Sequence, residues 1–212
     1  MPRKRPTVTA WAGIGYRTTT YDVPLWVEPN RRDGRWNIAG FGCTQYFCLD
    51  PEAPLAEQLR HEDLRTEHDA ATYRTSLWQV QIDEAAMVDY GTFEKAEAAD
   101  FPAEALVDDD HERCQAEATW LKSQGVTAVL SPCAALPAST NITIFGPRVQ
   151  VSWGAERRLT SQMPVQRLST GPPPVGLTTR VRYFGEEHAD LASYAHARHG
   201  RSGRRPRRRR DS

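Results

Sequence analysis

Three side chains that could act on a charged substrate are evenly spaced in the first third of the chain. Arg35 lies in a glycine-rich loop (Gly34–Asn37, GRWN), Tyr46 follows 11 residues later, and Glu57 follows after another 11. A guanidinium group binds phosphate or carboxylate through two parallel hydrogen bonds, and a fixed carboxylate stabilises developing positive charge. Each residue alone also fits a surface or packing role. Together they predict a cleft at which an arginine, an aromatic hydroxyl and a carboxylate converge.

The elements predicted around these residues can hold them together. The sequence TQYFCL predicts a strand over 44–49, and Asp50 with Pro51 predicts the start of a helix over about 51–65. Glu57 then lies in the early turns of that helix. A carboxylate there can face back towards the strand that carries Tyr46 and towards the loop that carries Arg35.

The remaining pattern mixes short strands with a few helices and predicts a single α+β domain. Residues 11–27 are expected to form turns and short strands. Further elements are predicted as strands over 75–82, 126–130, 142–151 and 177–184, and as helices over 111–124 and 186–197.

Composition supports one globular domain of 212 residues and 23.9 kDa, with 39% hydrophobic residues. No apolar run approaches the roughly 20 residues needed to cross a bilayer, and the basic start lacks the apolar core of a secretory signal. We therefore expect residues 1–10 to be a disordered leader, 11–197 the domain and 198–212 a disordered tail.

The net charge of zero conceals a segregation of charge. The tail over 198–212 holds eight arginines and one acid, and the first five residues hold three bases and no acid. Residues 6–197 therefore hold 16 bases and 26 acids. An acidic body argues against a nucleic-acid site on the fold itself. The basic tail could contact nucleic acid without sequence specificity, or could simply aid solubility.

The four cysteines, at positions 43, 48, 114 and 133, include no C-x-x-C pair and no set with zinc-ligand spacing. Without a secretory signal they are expected to be reduced thiols in a cytoplasmic protein. The sequence thus predicts neither a metal site nor a membrane association.

An ordered set of motifs resembles the RES-domain toxin family. The set comprises Tyr16-Arg17, the GRWN loop with Gly40, the strand residue Tyr46, and a helix start ending at Glu57. Much later, within 125–146, a strand that ends near a proline precedes Asn141 and an apolar strand. The resemblance runs in family order over about residues 11–155.

This resemblance implies an ADP-ribosyltransferase-like fold that binds NAD and breaks its nicotinamide–ribose bond by hydrolysis or phosphorolysis. It also implies a small cognate antitoxin as partner. Arg35 and Arg17 would hold the pyrophosphate, Glu57 would stabilise the ribose cation, and Tyr46 would contact the nicotinamide or the ribose. Asn141 would bind the ligand or support the loop.

One position departs from the family pattern. Aligning Pro132 with the family proline puts Cys133 where the family has its serine, while Ser131 lies two residues earlier. Either residue could position the nicotinamide ribose. Two other functions also stay open: transfer of ADP-ribose to a macromolecule, and a catalytically weak protein that acts by binding an antitoxin or nucleic acid.

Overall fold

The computed structural model describes residues 5–202, with side chains through residue 199. Within that range the elements are, in chain order, β1 (Thr9–Thr19), β2 (Thr44–Cys48), α1 (Ala53–His61), α2 (Glu67–Thr72), β3 (Thr75–Asp89), α3 (Phe93–Ala98), a 3₁₀ helix (Ala103–Leu106), α4 (Glu112–Ser123), β4 (Ala128–Pro132), β5 (Thr140–Phe145), β6 (Val149–Ser152), β7 (Gln162–Gly171) and α5 (Ala189–Ser202).

The strands form one sheet in the order β1-β2-β5-β4-β3-β7-β6, and β1 also pairs with β3. The first five strands in this order therefore close on themselves, while β7 and β6 extend the sheet from one edge of β3. Most pairs are antiparallel, and β3–β4 and β6–β7 are parallel. The predicted α+β class is confirmed.

The interior of the sheet is built by alternation along β3. Val80 and Ile82 are fully buried, whereas Gln81 between them and Asp83 after them are exposed. This period of two is what a strand with one apolar face requires. The buried side chains pack with apolar residues of β5 and β7, namely Ile142, Ile144 and Met163.

Helix α1 packs on the sheet through Leu55 and Leu59. Pro54 occupies the first turn, where the missing amide proton of proline does no harm. Asp50 does not cap the helix directly, but its Oδ1 accepts a hydrogen bond from the Glu52 amide at 2.8 Å. Glu57 lies on another side of the helix, where it is half-buried.

Several predicted elements agree with the structure: β2, α1, α4, β4 and the interrupted β5–β6 pair. Three predictions were wrong. Residues 9–19 form one long strand and not short strands with turns, β7 was missed, and 177–184 is a series of turns instead of a strand.

The ordered elements also extend beyond the predicted domain bounds, since β1 begins at Thr9 and α5 continues to Ser202. The first four residues of the predicted leader and positions 203–212 of the predicted tail lie outside the described residues. Among the helices within 5–202, none is long and apolar enough to cross a membrane.

Candidate active site

The GRWN loop is fixed by its own backbone and by a buried tryptophan. Gly34 and Asn37 exchange two backbone hydrogen bonds, of 3.0 and 3.3 Å. Trp36 is 1% exposed and stacks near Tyr90, with ring centroids 6.5 Å apart, in an aromatic cluster that includes Phe101. The tryptophan therefore anchors the loop in the core, while the neighbouring Arg35 lines the cleft.

Tyr46 holds the loop through its hydroxyl group. This oxygen accepts a hydrogen bond from the Trp36 amide at 2.9 Å and donates one to Asn37 Oδ1 at 2.7 Å. Burial raises the pKa of Tyr46 well above its usual range, so the group stays a neutral phenol. Tyr46 lines the cleft, but its hydroxyl is engaged in positioning the loop.

The tight packing around this hydroxyl explains the glycine at position 34. A Cβ atom there would lie 2.6 Å from Asn37 Oδ1 and 2.7 Å from the Tyr46 hydroxyl oxygen. Both distances are shorter than van der Waals contact allows, so only glycine fits without moving the loop.

Glu57 is held from behind by residues of β5 and of the turn after β4. Asn141 Nδ2 donates a hydrogen bond to Glu57 Oε1 at 2.6 Å, and the Cys133 thiol lies 3.8 Å from the same oxygen. The carboxylate is half-buried on the cleft wall. Asn141 and Cys133 themselves do not line the cleft, so they fix the orientation of Glu57.

Ser131 and Cys133 differ in where they sit. Ser131 is buried within β4, where it pairs with Asn141 of β5, and it is not part of the cleft wall. Cys133 directly follows the strand and reaches Glu57. The thiol therefore occupies the position that supports the carboxylate.

Two predicted arginines line the cleft from different elements. Arg17 of β1 donates a hydrogen bond to Gln45 Oε1 at 2.8 Å, and its guanidinium carbon lies 3.6 Å from the centroid of the Trp26 ring. Burial lowers the pKa of Arg17 to about 9, which leaves it protonated at neutral pH. Arg35 uses one nitrogen to donate to the carbonyl oxygen of Ala105 at 3.1 Å.

A third arginine of the cleft, Arg60, was not predicted. It lies three residues after Glu57 and therefore on the same side of α1. Arg60 is 3% exposed, donates to the Ala134 carbonyl oxygen and forms an ion pair with Asp109. Burial and the neighbouring charge of Arg182 lower the pKa of Arg60 to about 10, so it too stays charged.

Asp109 joins segments that are far apart in the chain. It binds Arg60 and, at 2.9 Å, Arg182, and it accepts a hydrogen bond from the Gly185 amide at 2.7 Å. Burial would raise the pKa of Asp109, but the amide and the two guanidinium groups together lower it. The carboxylate is therefore ionised at neutral pH and holds Arg60 at the cleft wall and Arg182 behind it.

His111, just before α4, is a second cleft residue that the sequence did not reveal. Burial, with the positive charges of Arg35 and Arg60 nearby, lowers the pKa of His111 to about 4. The imidazole is therefore neutral at physiological pH. It adds a hydrogen-bonding group to a cleft in which the charges come from arginines and carboxylates.

Together these residues surround a cleft of about 970 Å³. This volume is at the upper end of the range for ligand sites and suits an extended, polar ligand. The cleft brings together Arg17, Arg35, Tyr46 and Glu57 as predicted from sequence, and adds Arg60 and His111.

A model of the RES domain family matches residues 12–162 of this sequence. The chain belongs to the RES domain family. No curated protein matches the sequence. The fold is similar to a solved structure, the crystal structure of the M. tuberculosis MbcT–MbcA toxin–antitoxin complex, with a TM-score of 0.60 and 19% identity. The similarity covers 82% of this chain and 91% of that chain, and at this identity it concerns the fold alone.

The RES domain match includes every site residue that the sequence predicted, from Arg17 to Asn141. It ends before β7 is complete, and so before the segment that carries Arg182. One lining residue of the cleft of this RES domain protein, Phe184, therefore lies outside the family match. Among the described residues, no group of three or more histidine, cysteine, aspartate or glutamate side chains is arranged to hold a metal ion.

Proposed function

We propose that this RES domain protein binds NAD in the cleft and breaks the bond between nicotinamide and ribose. The observation that carries the proposal is the placement of Glu57. Its carboxylate is fixed by Asn141 at 2.6 Å and faces a cleft lined by five arginines, namely Arg17, Arg31, Arg32, Arg35 and Arg60. A held carboxylate opposite anion-binding groups is what cleavage of a dinucleotide at its glycosidic bond requires.

The arginines would bind the pyrophosphate of the substrate. The pyrophosphate of NAD carries two negative charges, and guanidinium groups bind such oxygens through paired hydrogen bonds. Arg17 and Arg60 are already oriented by Gln45 and Asp109. Little side-chain entropy is then lost when the ligand binds, which favours affinity.

Glu57 would stabilise the transition state of bond cleavage. As the glycosidic bond lengthens, the electron pair leaves with nicotinamide and the ribose gains oxocarbenium character. A carboxylate held beside that centre stabilises the positive charge as it develops, and it can also accept a hydrogen bond from a ribose hydroxyl group. Water, which loses a proton to the solvent as it adds, or phosphate then forms the new bond to the ribose. The products are ADP-ribose or its phosphorylated form, together with free nicotinamide.

Incubating the purified protein with NAD, with and without phosphate, tests the proposal. Chromatography of the products identifies nicotinamide and the ADP-ribose product, and a phosphorylated product that appears only with phosphate identifies phosphorolysis. Labelled ADP-ribose attached to protein or nucleic acid in a lysate would identify the alternative, transfer to a macromolecule. A failure to release nicotinamide under any of these conditions contradicts the proposal. It would favour the other alternative, a catalytically weak protein that acts by binding an antitoxin or nucleic acid.

We further propose that the protein is a toxin controlled by a small antitoxin, acting in the cytoplasm. The support is the family membership and the similar fold in a solved toxin–antitoxin complex. Depletion of NAD would account for toxicity. The contact with nucleic acid expected of the arginine-rich tail concerns positions mostly outside the described residues.

Changing Arg35 to lysine is expected to raise the KM for NAD by about tenfold or more. Lysine keeps the charge but lacks the planar fork, and a hydrogen bond to a charged group contributes about 1.5–3 kcal/mol. Steady-state kinetics measures the change, and the thermal melting temperature checks the fold. Arg113→Lys, at an exposed ion pair outside the cleft, is the matched control. Unchanged NAD affinity in a folded Arg35→Ala variant would remove this residue from the site.

Changing Cys133 to serine is expected to keep or raise the rate of NAD consumption. The thiol lies 3.8 Å from Glu57 Oε1, and a hydroxyl group is the stronger hydrogen-bond donor. Ser131→Ala is expected to change the rate little, because Ser131 is not on the cleft wall. Parallel assays of the two variants decide the point. An inactive Ser131→Ala protein beside an unaffected Cys133→Ser protein would assign the role to Ser131.

A further inference from the structure

The segment 177–188, which follows the family match, is bound firmly to the cleft wall although it contains no strand. The backbone amide of Arg182 donates a hydrogen bond to the Ala135 carbonyl oxygen at 2.8 Å. The guanidinium group of Arg182 donates another to the Val107 carbonyl oxygen at 3.0 Å. The Tyr183 hydroxyl donates to the Leu64 carbonyl oxygen at 2.6 Å. Phe184 follows these two anchored residues directly, so their contacts hold it in a defined place.

Phe184 lies on the cleft wall and remains 43% exposed. The guanidinium carbon of Arg60 is 4.2 Å from the centroid of its ring, and the His61 ring centroid is 5.8 Å away. Both neighbours belong to α1, at three and four residues beyond Glu57. The ring is thus a firmly held apolar surface, supported by a cation, in a cleft that also contains the aromatic side chains of Tyr21, Trp26 and Tyr46.

A supported and exposed aromatic ring is suited to stack on a planar group of a ligand. Stacking of a nucleic-acid base on an aromatic side chain contributes roughly 1–3 kcal/mol per base, whatever the base. NAD offers two planar rings, which differ in charge: the adenine is neutral, whereas the nicotinamide ring is a cationic pyridinium.

The charges along α1 distinguish the two rings. Around Phe184 lie the guanidinium groups of Arg60 and Arg182 with the Asp109 carboxylate between them, and the ion pair of Arg65 with Glu186. Three guanidinium groups against two carboxylates leave a net positive charge. A cationic ring is disfavoured there, whereas a neutral base and an adjoining phosphate are favoured. Towards the start of α1 the negative charge of Glu57 favours the cationic end. The helix therefore presents positive charge where the neutral adenine and the phosphates would lie, and negative charge where the cationic nicotinamide would lie.

We propose that Phe184, supported by Arg60, forms the binding site for the adenine base of the substrate. That the substrate is NAD rests on the proposed function. The stacking site itself requires only that the ligand be an adenine nucleotide. It makes the segment 177–188 a determinant of specificity, although that segment lies beyond the part of the chain that the family match covers.

Titration with ADP, which lacks nicotinamide, tests this site without any need for catalysis. By isothermal titration calorimetry, Phe184→Ala is expected to raise the Kd for ADP by roughly 5- to 150-fold, which corresponds to the range for stacking. Phe184→Tyr keeps the ring and is expected to bind like the parent. Trp153→Ala removes another aromatic side chain, 40% exposed and outside the cleft, and is the matched control. Circular dichroism of each variant establishes that the fold is retained.

The same variants in NAD kinetics separate the two proposals. Phe184→Ala is expected to raise KM while kcat stays near that of the parent, because adenine lies far from the breaking bond. A parent protein that binds ADP through Phe184 yet leaves NAD intact would contradict the proposed function and support the adenine site. A parent that consumes NAD, with unchanged Kd and KM in Phe184→Ala, would overturn the adenine site alone. Absence of ADP binding by the parent would also overturn it.

Discussion

Changing Glu57 to glutamine is expected to lower the turnover of NAD by about 10²–10³ with little effect on its affinity. In the proposed mechanism the carboxylate acts on charge that appears only as the glycosidic bond breaks, so its loss would be felt mainly in the transition state. Glutamine is nearly isosteric, and its side-chain oxygen can still accept the hydrogen bond from Asn141 Nδ2. The variant should therefore fold normally and keep the cleft intact.

Single-turnover and steady-state assays measure this effect, and ADP titration checks the cleft. Glu62→Gln changes an exposed carboxylate just after the same helix, outside the cleft, and is expected to have no effect. In cells, expression of the Glu57→Gln protein should be harmless where the parent depletes NAD. A folded Glu57→Gln protein with the parent's kcat would remove both the residue assignment and most of the mechanism.

Changing Gly34 to alanine is expected to destabilise the protein by about 2–4 kcal/mol and to weaken NAD binding. The new methyl group would collide with Asn37 Oδ1 and the Tyr46 hydroxyl, at 2.6 and 2.7 Å. Relief of the collision breaks the hydrogen bonds by which Tyr46 holds the loop, and Arg35 moves with the loop.

Thermal and denaturant unfolding measure the loss of stability, and NAD kinetics measures the loss of binding. Gly171→Ala is the matched control, because a Cβ atom there meets nothing within 4 Å. It is expected to leave both quantities unchanged. Equal stability of the Gly34→Ala and Gly171→Ala proteins would show that the loop adapts, and that Tyr46 does not fix it.

The part of the site that sequence could predict is the part built from neighbouring elements. Arg35, Tyr46 and Glu57 lie within a loop, a strand and a helix that follow one another, so their spacing predicted their convergence. Arg60 and His111 were missed for a different reason. The place of Arg60 depends on Asp109, 49 residues further along the chain. His111 lies at the start of α4, equally far from α1 in the sequence, and no local pattern records that the two meet at one cleft.

The errors in the fold have a similar origin. Strand β7 is largely exposed over 166–170, so it lacks the apolar alternation by which a strand is recognised. The segment over 177–184 shows alternation because Leu177, Val181 and Tyr183 are buried against α1 and its surroundings. Their burial is achieved by turns. Alternation predicts which side chains are buried more dependably than it predicts backbone pairing.

The anchoring of Phe184 and Arg182 in a segment that follows β7 also bears on the order in which the cleft is assembled. A ribosome adds roughly 5–20 residues per second and releases the N-terminal part first. The loop, β2, α1 and β5 then emerge before the segment that bridges Asp109 and covers Arg60. The nascent chain thus lacks Phe184 on its cleft wall until the segment 177–188 has also emerged, although Arg35, Tyr46 and Glu57 emerge earlier.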